Sequence, residues 1–215
     1  MAGAIALPFL IAAPHGIAWA LRRQIDRPLQ VESLPAAFFT VAHLIADVNL
    51  HVVKSAGSDN LVGSGPHLAS TLSGVVTAAA VLAVYVVYAR SGRTREDIAV
   101  ASVAAVTAYV AFSKVFSPQY LVWIIPLVPL VGGRRGIRAG ALLIVIVGMT
   151  QIWEPWRYGD YYRTFAPWLT WLVFVRDLLV VALLAVLLWP VRTSDRTSFS
   201  GRNADELDPV RAAVV

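Results

Sequence analysis

Four stretches of this sequence place chemically capable side chains beside long apolar runs. Arg27-Pro-Leu-Gln-Val-Glu-Ser-Leu34 supplies a cation, an amide, a carboxylate and a hydroxyl. Arg27 could clamp a phosphate through two parallel N–H bonds while Gln30, Glu32 and Ser33 bond hydroxyl groups. Equally, Arg27 could snorkel to an interface, with Glu32 and Ser33 capping a helix. Lys114-Val-Phe-Ser-Pro-Gln-Tyr120 sets Lys114, Ser117, Gln119 and Tyr120 around Pro118, a residue that disfavours helix before it and lacks an N–H. A helix broken at membrane depth exposes backbone groups, which is tolerated only against protein or a water-filled cavity. Lys114 there is a natural counter-charge for phosphate, or else an ordinary interfacial lysine beside a proline turn. In Thr150-Gln-Ile-Trp-Glu-Pro-Trp-Arg-Tyr158, Arg157 and Tyr158 join aromatic planes suited to a sugar face or lipid chain, although an interfacial aromatic belt explains the same residues. Arg176 and Asp177 lie inside an apolar run, where ionisable groups are costly and serve function or a bridge between helices. Being adjacent, they are expected to pair with other helices rather than with each other.

The elements that must position these residues are membrane spans. Of 215 residues, 58% are hydrophobic and 14% charged, against roughly 25% charged in a soluble domain. Mean hydropathy is +0.66. An all-α, polytopic transmembrane bundle follows, with short broken or re-entrant helices at its outer face. Reading about 20 apolar residues per span, the crossings are Met1–Leu21 (bent by Pro8 and Pro14), 67–89, 98–116, 139–152 and 168–189. Shorter apolar pieces occupy 34–46 and 121–131. The loops are 22–33, 47–66, 117–120, 132–138 and 154–167. Residues 1–190 form the membrane module, and 191–215 a polar cytoplasmic tail expected to be disordered.

Net charge is +5, and the arginines gather at span ends, which argues for lipid headgroups rather than nucleic acid as the partner. Basic residues in short loops favour the cytoplasm. This places Arg90, Arg93 and Arg95, then Arg134, Arg135 and Arg138, and finally Arg192 inside. The segments 47–66, 117–120 and 154–167 then lie outside. Residues 22–33 are inside if 34–46 crosses the bilayer and outside if it is re-entrant; the shortness of 34–46 favours outside.

Cysteine is absent, so there is no disulfide or thiolate metal site. His43, Asp47 and His51 recur at helical spacing, but helix beyond Asp47 is doubtful and no metal site is assigned. No phosphate-binding glycine loop, dinucleotide fingerprint or serine nucleophile turn occurs.

Taken in order, Arg27 to Leu34, Lys114-Val-Phe-Ser-Pro-Gln-Tyr-Leu-Val-Trp-Ile-Ile-Pro126, Thr150 to Tyr158 and Val175-Arg-Asp-Leu-Leu179 resemble the C-terminal half of bacterial GT-C membrane glycosyltransferases of family 87. That family includes polyprenyl-phosphate-mannose-dependent mannosyltransferases of actinobacterial envelopes. The resemblance implies inverting transfer of a hexose, often mannose, from a polyprenyl-phosphate sugar to a lipid or glycan acceptor. The site would be the outer face of the cytoplasmic membrane, and no cofactor is needed. It implies that Arg27 and Lys114 hold phosphate and that Gln119 and Tyr120 orient sugar or lipid. It supports an outer position for 22–33, since a phosphate donor explains outward arginines.

Such enzymes carry an acidic catalytic base in an early outer loop. The catalytic residue is therefore unknown here and expected upstream, in a missing N-terminal half; Glu32 is read as a binding group. Two rivals remain from other classes. One is a transporter or flippase-like module, whose broken helices would build a site at the bilayer centre. The other is a non-catalytic remnant that binds lipid.

Overall fold

The structure, a computed structural model, describes residues 11–92 and 94–189. The chain begins there with α1 (Pro14–Ile25), β1 (Leu29–Gln30), α2 (Leu34–Ala46), the hairpin strands β2 (His51–Ser55) and β3 (Ser58–Val62), and α3 (Ser64–Ala89). It continues through α4 (Arg95–Phe112), the short α5 (Leu121–Ile124) between two 3-10 turns, α6 (Gly133–Trp153), α7 (Tyr158–Thr164) and α8 (Pro167–Leu188). The tail 191–215 and residues 1–10 of the first apolar run lie outside the described residues.

The fold is a helical membrane bundle. Helices α3, α6 and α8 are long and apolar enough to cross a membrane. Helix α4 stands between α3 and α8. It begins with Thr94 and Asp97 in a reciprocal cap: Thr94 Oγ1 accepts from the Asp97 amide at 3.2 Å, and Asp97 Oδ2 accepts from the Thr94 amide at 3.0 Å. Its buried face carries Val100, Val103, Ala104, Thr107, Ala108 and Ala111. Small residues let helix backbones approach closely, and that packing holds helices together where lipid removes the hydrophobic drive. Val180, Leu183, Leu184 and Leu187 of α8 and Ala139, Leu143 and Ile146 of α6 complete this core.

Helix α4 stops at Phe112, four residues before the span expected from sequence, because Ser113 turns to an extended conformation (φ −62°, ψ 142°). Pro118 does not end a helix. It opens the 3-10 turn Pro118–Tyr120, where its missing N–H costs nothing. The chain then passes through α5 and the turn Val128–Leu130 with Leu121, Ile124, Val128 and Val131 buried in the core. One face of this irregular stretch is packed against protein, while Val122, Trp123, Ile125 and Leu130 are exposed on the other.

Four segments read as loops contain structure. Residues 132–138, expected as a basic loop, are mostly the first turns of α6, and Arg22 to Ile25 belong to α1. The segment 154–167 holds α7. The segment 47–66 holds the β2–β3 hairpin, turned by Ala56 (φ 51°) and Gly57 (φ 79°). Two successive positive φ values match the twist of a two-residue hairpin. Strand β3 pairs with β2 through Ser55↔Ser58 and with β1 through Gln30↔Asn60. This three-stranded antiparallel sheet, ordered β1-β3-β2, is an addition to the all-helical expectation.

The sheet sits at one end of the bundle. Lys114 O accepts from the Gln30 amide at 3.0 Å, Tyr161 Oη donates to Val31 O at 3.0 Å, and Tyr158 Oη donates to Asp59 Oδ2 at 3.0 Å. Segments 27–33, 58–62, 113–117 and 158–165 therefore meet there. Leu29, Val31, Leu61, Trp153, Tyr161, Phe165 and Leu169 form a second core beneath them. At the opposite end, Arg135 Nη2 donates to Trp189 O.

Helix α2 has 13 residues, ~20 Å at ~1.5 Å per residue, short of a ~30 Å hydrocarbon core. It packs on α8 through an edge-on Phe38–Phe174 contact at 5.2 Å. Ending at Ala46, with Asp47 left-handed (φ 52°) and His51 in β2, it does not carry His43, Asp47 and His51 on one helical face.

Candidate functional site

Polar residues at the sheet end fall into two groups, one open and one enclosed. The open group lines a groove of about 700 Å³ between α3 and α4. Gln24, Arg27 and Lys114 stand at its sheet end; Gly74, Thr77, Ala78, Val81 and Tyr85 form its α3 wall; Tyr109 and Tyr120 face them. The α3 residues recur at helical spacing, so one stripe of small side chains opens the space. From Gly74 to Tyr85 the wall runs ~16 Å along the axis at ~1.5 Å per residue.

Local bonds fix the mouth of the groove. Ser73 Oγ donates to Phe112 O at 2.5 Å, satisfying a carbonyl left over at the α4 C-terminus. Ser70 Oγ donates to Arg27 O at 3.1 Å. Lys114 Nζ donates to Ile25 O at 2.6 Å, where the negative end of α1 favours a cation. Burial pulls the Lys114 ammonium below the ordinary lysine range; Asp26 opposes that and Arg27 adds to it. A bound phosphate would favour the charged form again. Arg27 is half-buried. Its Nη2 lies 3.4 Å from Ser58 Oγ, and its Nε has no hydrogen-bond partner.

The enclosed group surrounds Arg176, which is fully buried. Arg176 Nη2 donates to Glu32 O at 2.9 Å and lies 2.8 Å from Asp177 Oδ1. The guanidinium packs over Phe116 at 4.3 Å and Trp153 at 5.7 Å from the ring centres. The expectation that these neighbours would not pair is corrected. The long arginine side chain folds back to its carboxylate, which avoids burying either charge alone, and also reaches Glu32 in another element.

Glu32 is itself buried. Gln30 Nε2 donates to Glu32 Oε2 and, at 2.7 Å, to Ser117 Oγ. Burial pushes the Glu32 carboxyl up to about 8, with Arg176 opposing and Glu154 reinforcing. Burial also raises Glu154 above the usual carboxylate range, opposed by Arg176. Burial first, then the Glu32 charge, pushes the Tyr158 hydroxyl upward. Gln30 Oε1, Glu32 Oε1, Trp153 Nε1, Glu154 Oε2 and Arg176 Nη1 are buried with no hydrogen-bond partner.

The candidate residues thus divide. Arg27, Lys114 and Tyr120 line the groove. Gln30, Glu32 and Ser117 form one bonded chain behind it. Ser33 occupies the N-cap position of α2, yet its hydroxyl donates to Gln30 O at 2.7 Å and tightens the turn instead. Tyr158 reaches the sheet. Gln119 is exposed and does not line the groove. Arg157 is also exposed, its guanidinium 5.4 Å from the Trp168 ring centre. Sequence reasoning missed Asp59 and Asn60, which no apolar-polar alternation in His51–Ser55 or Ser58–Val62 marks, and the α3 stripe, whose signal was its helical period. Among the described residues no group of three histidine or acidic side chains could hold a metal ion.

The bundle, with a cationic mouth on an apolar groove, belongs to the class of membrane glycosyltransferases of mannosyltransferase type. The family model described as Mannosyltransferase (PIG-M) matches residues 64–189, more than half of the chain, and the chain belongs to that family. The match takes in Lys114, Ser117, Tyr120, Arg176 and both helices of the groove; Arg27, Gln30 and Glu32 precede it. No curated protein and no solved structure matches the chain.

Proposed function

We propose that the chain is the C-terminal membrane module of a GT-C glycosyltransferase of the family 87 type. It would take part in moving a mannosyl or other hexosyl group from a polyprenyl-phosphate sugar to a lipid or glycan acceptor. The carrying observation is the pairing of Arg27 and Lys114 with the apolar groove between α3 and α4. A phosphate at the mouth would accept from both cations, and the attached hydrocarbon would lie along Gly74, Ala78 and Val81. The charge distribution of the loops supports assigning the sheet end to the outer face of the cytoplasmic membrane.

In an inverting transfer the acceptor hydroxyl attacks the sugar carbon opposite the phosphate, a carboxylate takes the hydroxyl proton, and the C–O bond to phosphate breaks. Arg27 and Lys114 fit the leaving phosphate, where negative charge grows. The base is assigned to no residue of this chain. Glu32 faces Gln30 and Arg176 in the enclosed group and is read as a binding and positioning group. Transport is the weaker reading, because the cations lie where α4 ends rather than midway along a span.

The test is affinity for a polyprenyl-phosphate mannose donor, measured with the purified chain in nanodiscs. Lys114→Ala is expected to weaken binding at least tenfold while the protein still inserts. Unchanged donor affinity rejects the reading.

A further inference from the structure

The enclosed group around Arg176 holds polar atoms that its own side chains leave unused. Trp153 Nε1, Arg176 Nε and Arg176 Nη1 are buried donors without a hydrogen-bond partner. Gln30 Oε1, Glu32 Oε1, Glu154 Oε2 and Asp177 Oδ2 are buried acceptors without one. We propose that this group is a hydrated site: it binds water molecules that bridge Glu32 to Glu154 beside the Arg176 guanidinium, and the two carboxyls share a proton across that bridge.

Three observations carry the assignment. First, the orphaned atoms belong to one neighbourhood. Arg176 Nη2 reaches Glu32 O at 2.9 Å, the guanidinium lies 5.7 Å from the Trp153 ring centre, and Gln30 Nε2 is bonded to Glu32. Glu154 follows Trp153 in the chain, and its charge acts on Glu32. Gln30, Glu32, Trp153, Arg176 and Asp177 are each at most 3% exposed. Buried polar atoms in folded proteins are almost always bonded. Where side chains do not reach one another, ordered water with about three bonds serves instead. Second, the mixture of donors and acceptors selects water as the ligand. A bare cation would satisfy the carboxyl oxygens and strand the N–H groups of Trp153 and Arg176; an anion would do the opposite. Water both gives and accepts. Glu154 is only half-buried, so the site meets the protein surface at that residue.

Third, the charges do not balance unless a proton is kept. Arg176 faces the carboxyls of Asp177, Glu32 and Glu154. With all three ionised, negative charge would stay uncompensated in an enclosed space, a cost that protein groups avoid by remaining protonated. Asp177 has its ion pair with Arg176 at 2.8 Å, so the proton falls to Glu32 and Glu154. The remaining ionisable neighbours offer no cation: Tyr158 of α7 donates to Asp59 Oδ2 of β3, and Tyr161 to Val31 O. Burial holds both glutamates above the usual carboxylate range, in the same sense. Two carboxyls that feel each other's charge take up a proton as a unit. The bridge thus ties the 27–33 stretch, which carries Arg27 to the groove, to the end of α6 and to α8. It stands independently of the donor reading.

The experiment uses the whole chain in nanodiscs. Hydroxyl radicals made by an X-ray pulse label side chains that touch water, including water held inside a protein. Trp153, though fully buried, is expected to be oxidised within about fivefold of Trp156, which is 89% exposed. Tyr161, equally buried and with its ring centre 5.4 Å from that of Trp153, is expected to react at least tenfold less. No labelling of Trp153 means a dry site, and equal labelling of Tyr161 means general opening; either overturns the proposal. The proton is read by infrared spectroscopy. At neutral pH the parent chain is expected to show the C=O band of a protonated carboxyl, shifted in D2O and lost as pH rises through about 8. Glu32→Gln and Glu154→Gln are each expected to remove or displace it. A band that ignores pH, or that survives Glu154→Gln unchanged, rejects the shared proton. A rise in unfolding midpoint specific to sodium or calcium over choline would identify a cation in place of water and overturn the assignment.

Discussion

Two cations set the two halves of the sheet end apart. Arg176 is enclosed: aromatic rings cover it, Asp177 balances it, and it fastens Glu32 O at 2.9 Å. Lys114 is half-exposed on an open groove, with one backbone carbonyl as partner at 2.6 Å. A buried charge with committed partners mainly holds elements in place, and its loss strands those partners. A charge at the mouth of a cavity has donors left for a ligand. The contrast teaches that intramembrane charge alone does not single out a candidate site; openness to a cavity is what sets the proposed one apart.

The contrast breaks most easily at Arg176. Arg176→Met leaves Asp177 buried and uncompensated, at an expected cost of ~3–5 kcal/mol in unfolding experiments in detergent. Arg176→Met/Asp177→Leu is expected to recover most of that, as replacing both members of a buried pair with apolar residues often does. If the single variant is as stable as the parent, the enclosed half has been misread.

Removal of the open cations should act on ligand and not on fold. Arg27→Gln/Lys114→Gln is expected to lower farnesyl phosphate affinity by ~10–100-fold, at ~1.5–3 kcal/mol for hydrogen bonds to charged groups, while the unfolding midpoint stays put. Equal losses of stability and affinity would erase the distinction. A smaller effect is expected from filling the groove. Ala78→Phe should weaken farnesyl phosphate several-fold and leave short-chain alkyl phosphate nearly unchanged; equal weakening of the two would detach the α3 wall from the hydrocarbon.

A separate effect, spread over a pH window, concerns proton binding. The folded state holds the Glu32 proton up to about pH 8, whereas the ordinary value is 4.5. Between those values the folded state binds more protons than the unfolded one, so stability falls as pH rises through that window and levels off above about 8. Glu32→Gln is expected to flatten that slope in unfolding titrations, and an unaltered slope would assign the proton elsewhere.

Much of this was legible in the residues. Long charge-free runs announced α3, α6 and α8, since lipid leaves few alternatives to helix. Lys114, Arg27, Gln30 and Glu32 stood out because polar groups are scarce beside such runs. The end of α4 was not legible: Ala111 and Phe112 continue an apolar pattern, and the stop depends on Ser73 of another helix taking Phe112 O. The hairpin was overlooked because Ala56-Gly57 is a weaker turn signal than Asn-Gly. The Arg176–Asp177 contact depends on a side-chain path that spacing on a helix does not reveal. The groove is a gap between two helices, and only the smallness of Gly74 and Ala78 foreshadowed it.

The central claim is that the groove between α3 and α4 holds the hydrocarbon of a lipid phosphate whose headgroup meets Lys114. Farnesyl phosphate carrying a terminal diazirine, photolysed with the chain in nanodiscs and mapped by mass spectrometry, tests it directly. Crosslinks confined to residues 74–85 and 109, and lost in Lys114→Gln, are the predicted result. Crosslinks that fall elsewhere, or that persist unchanged without Lys114, would contradict it.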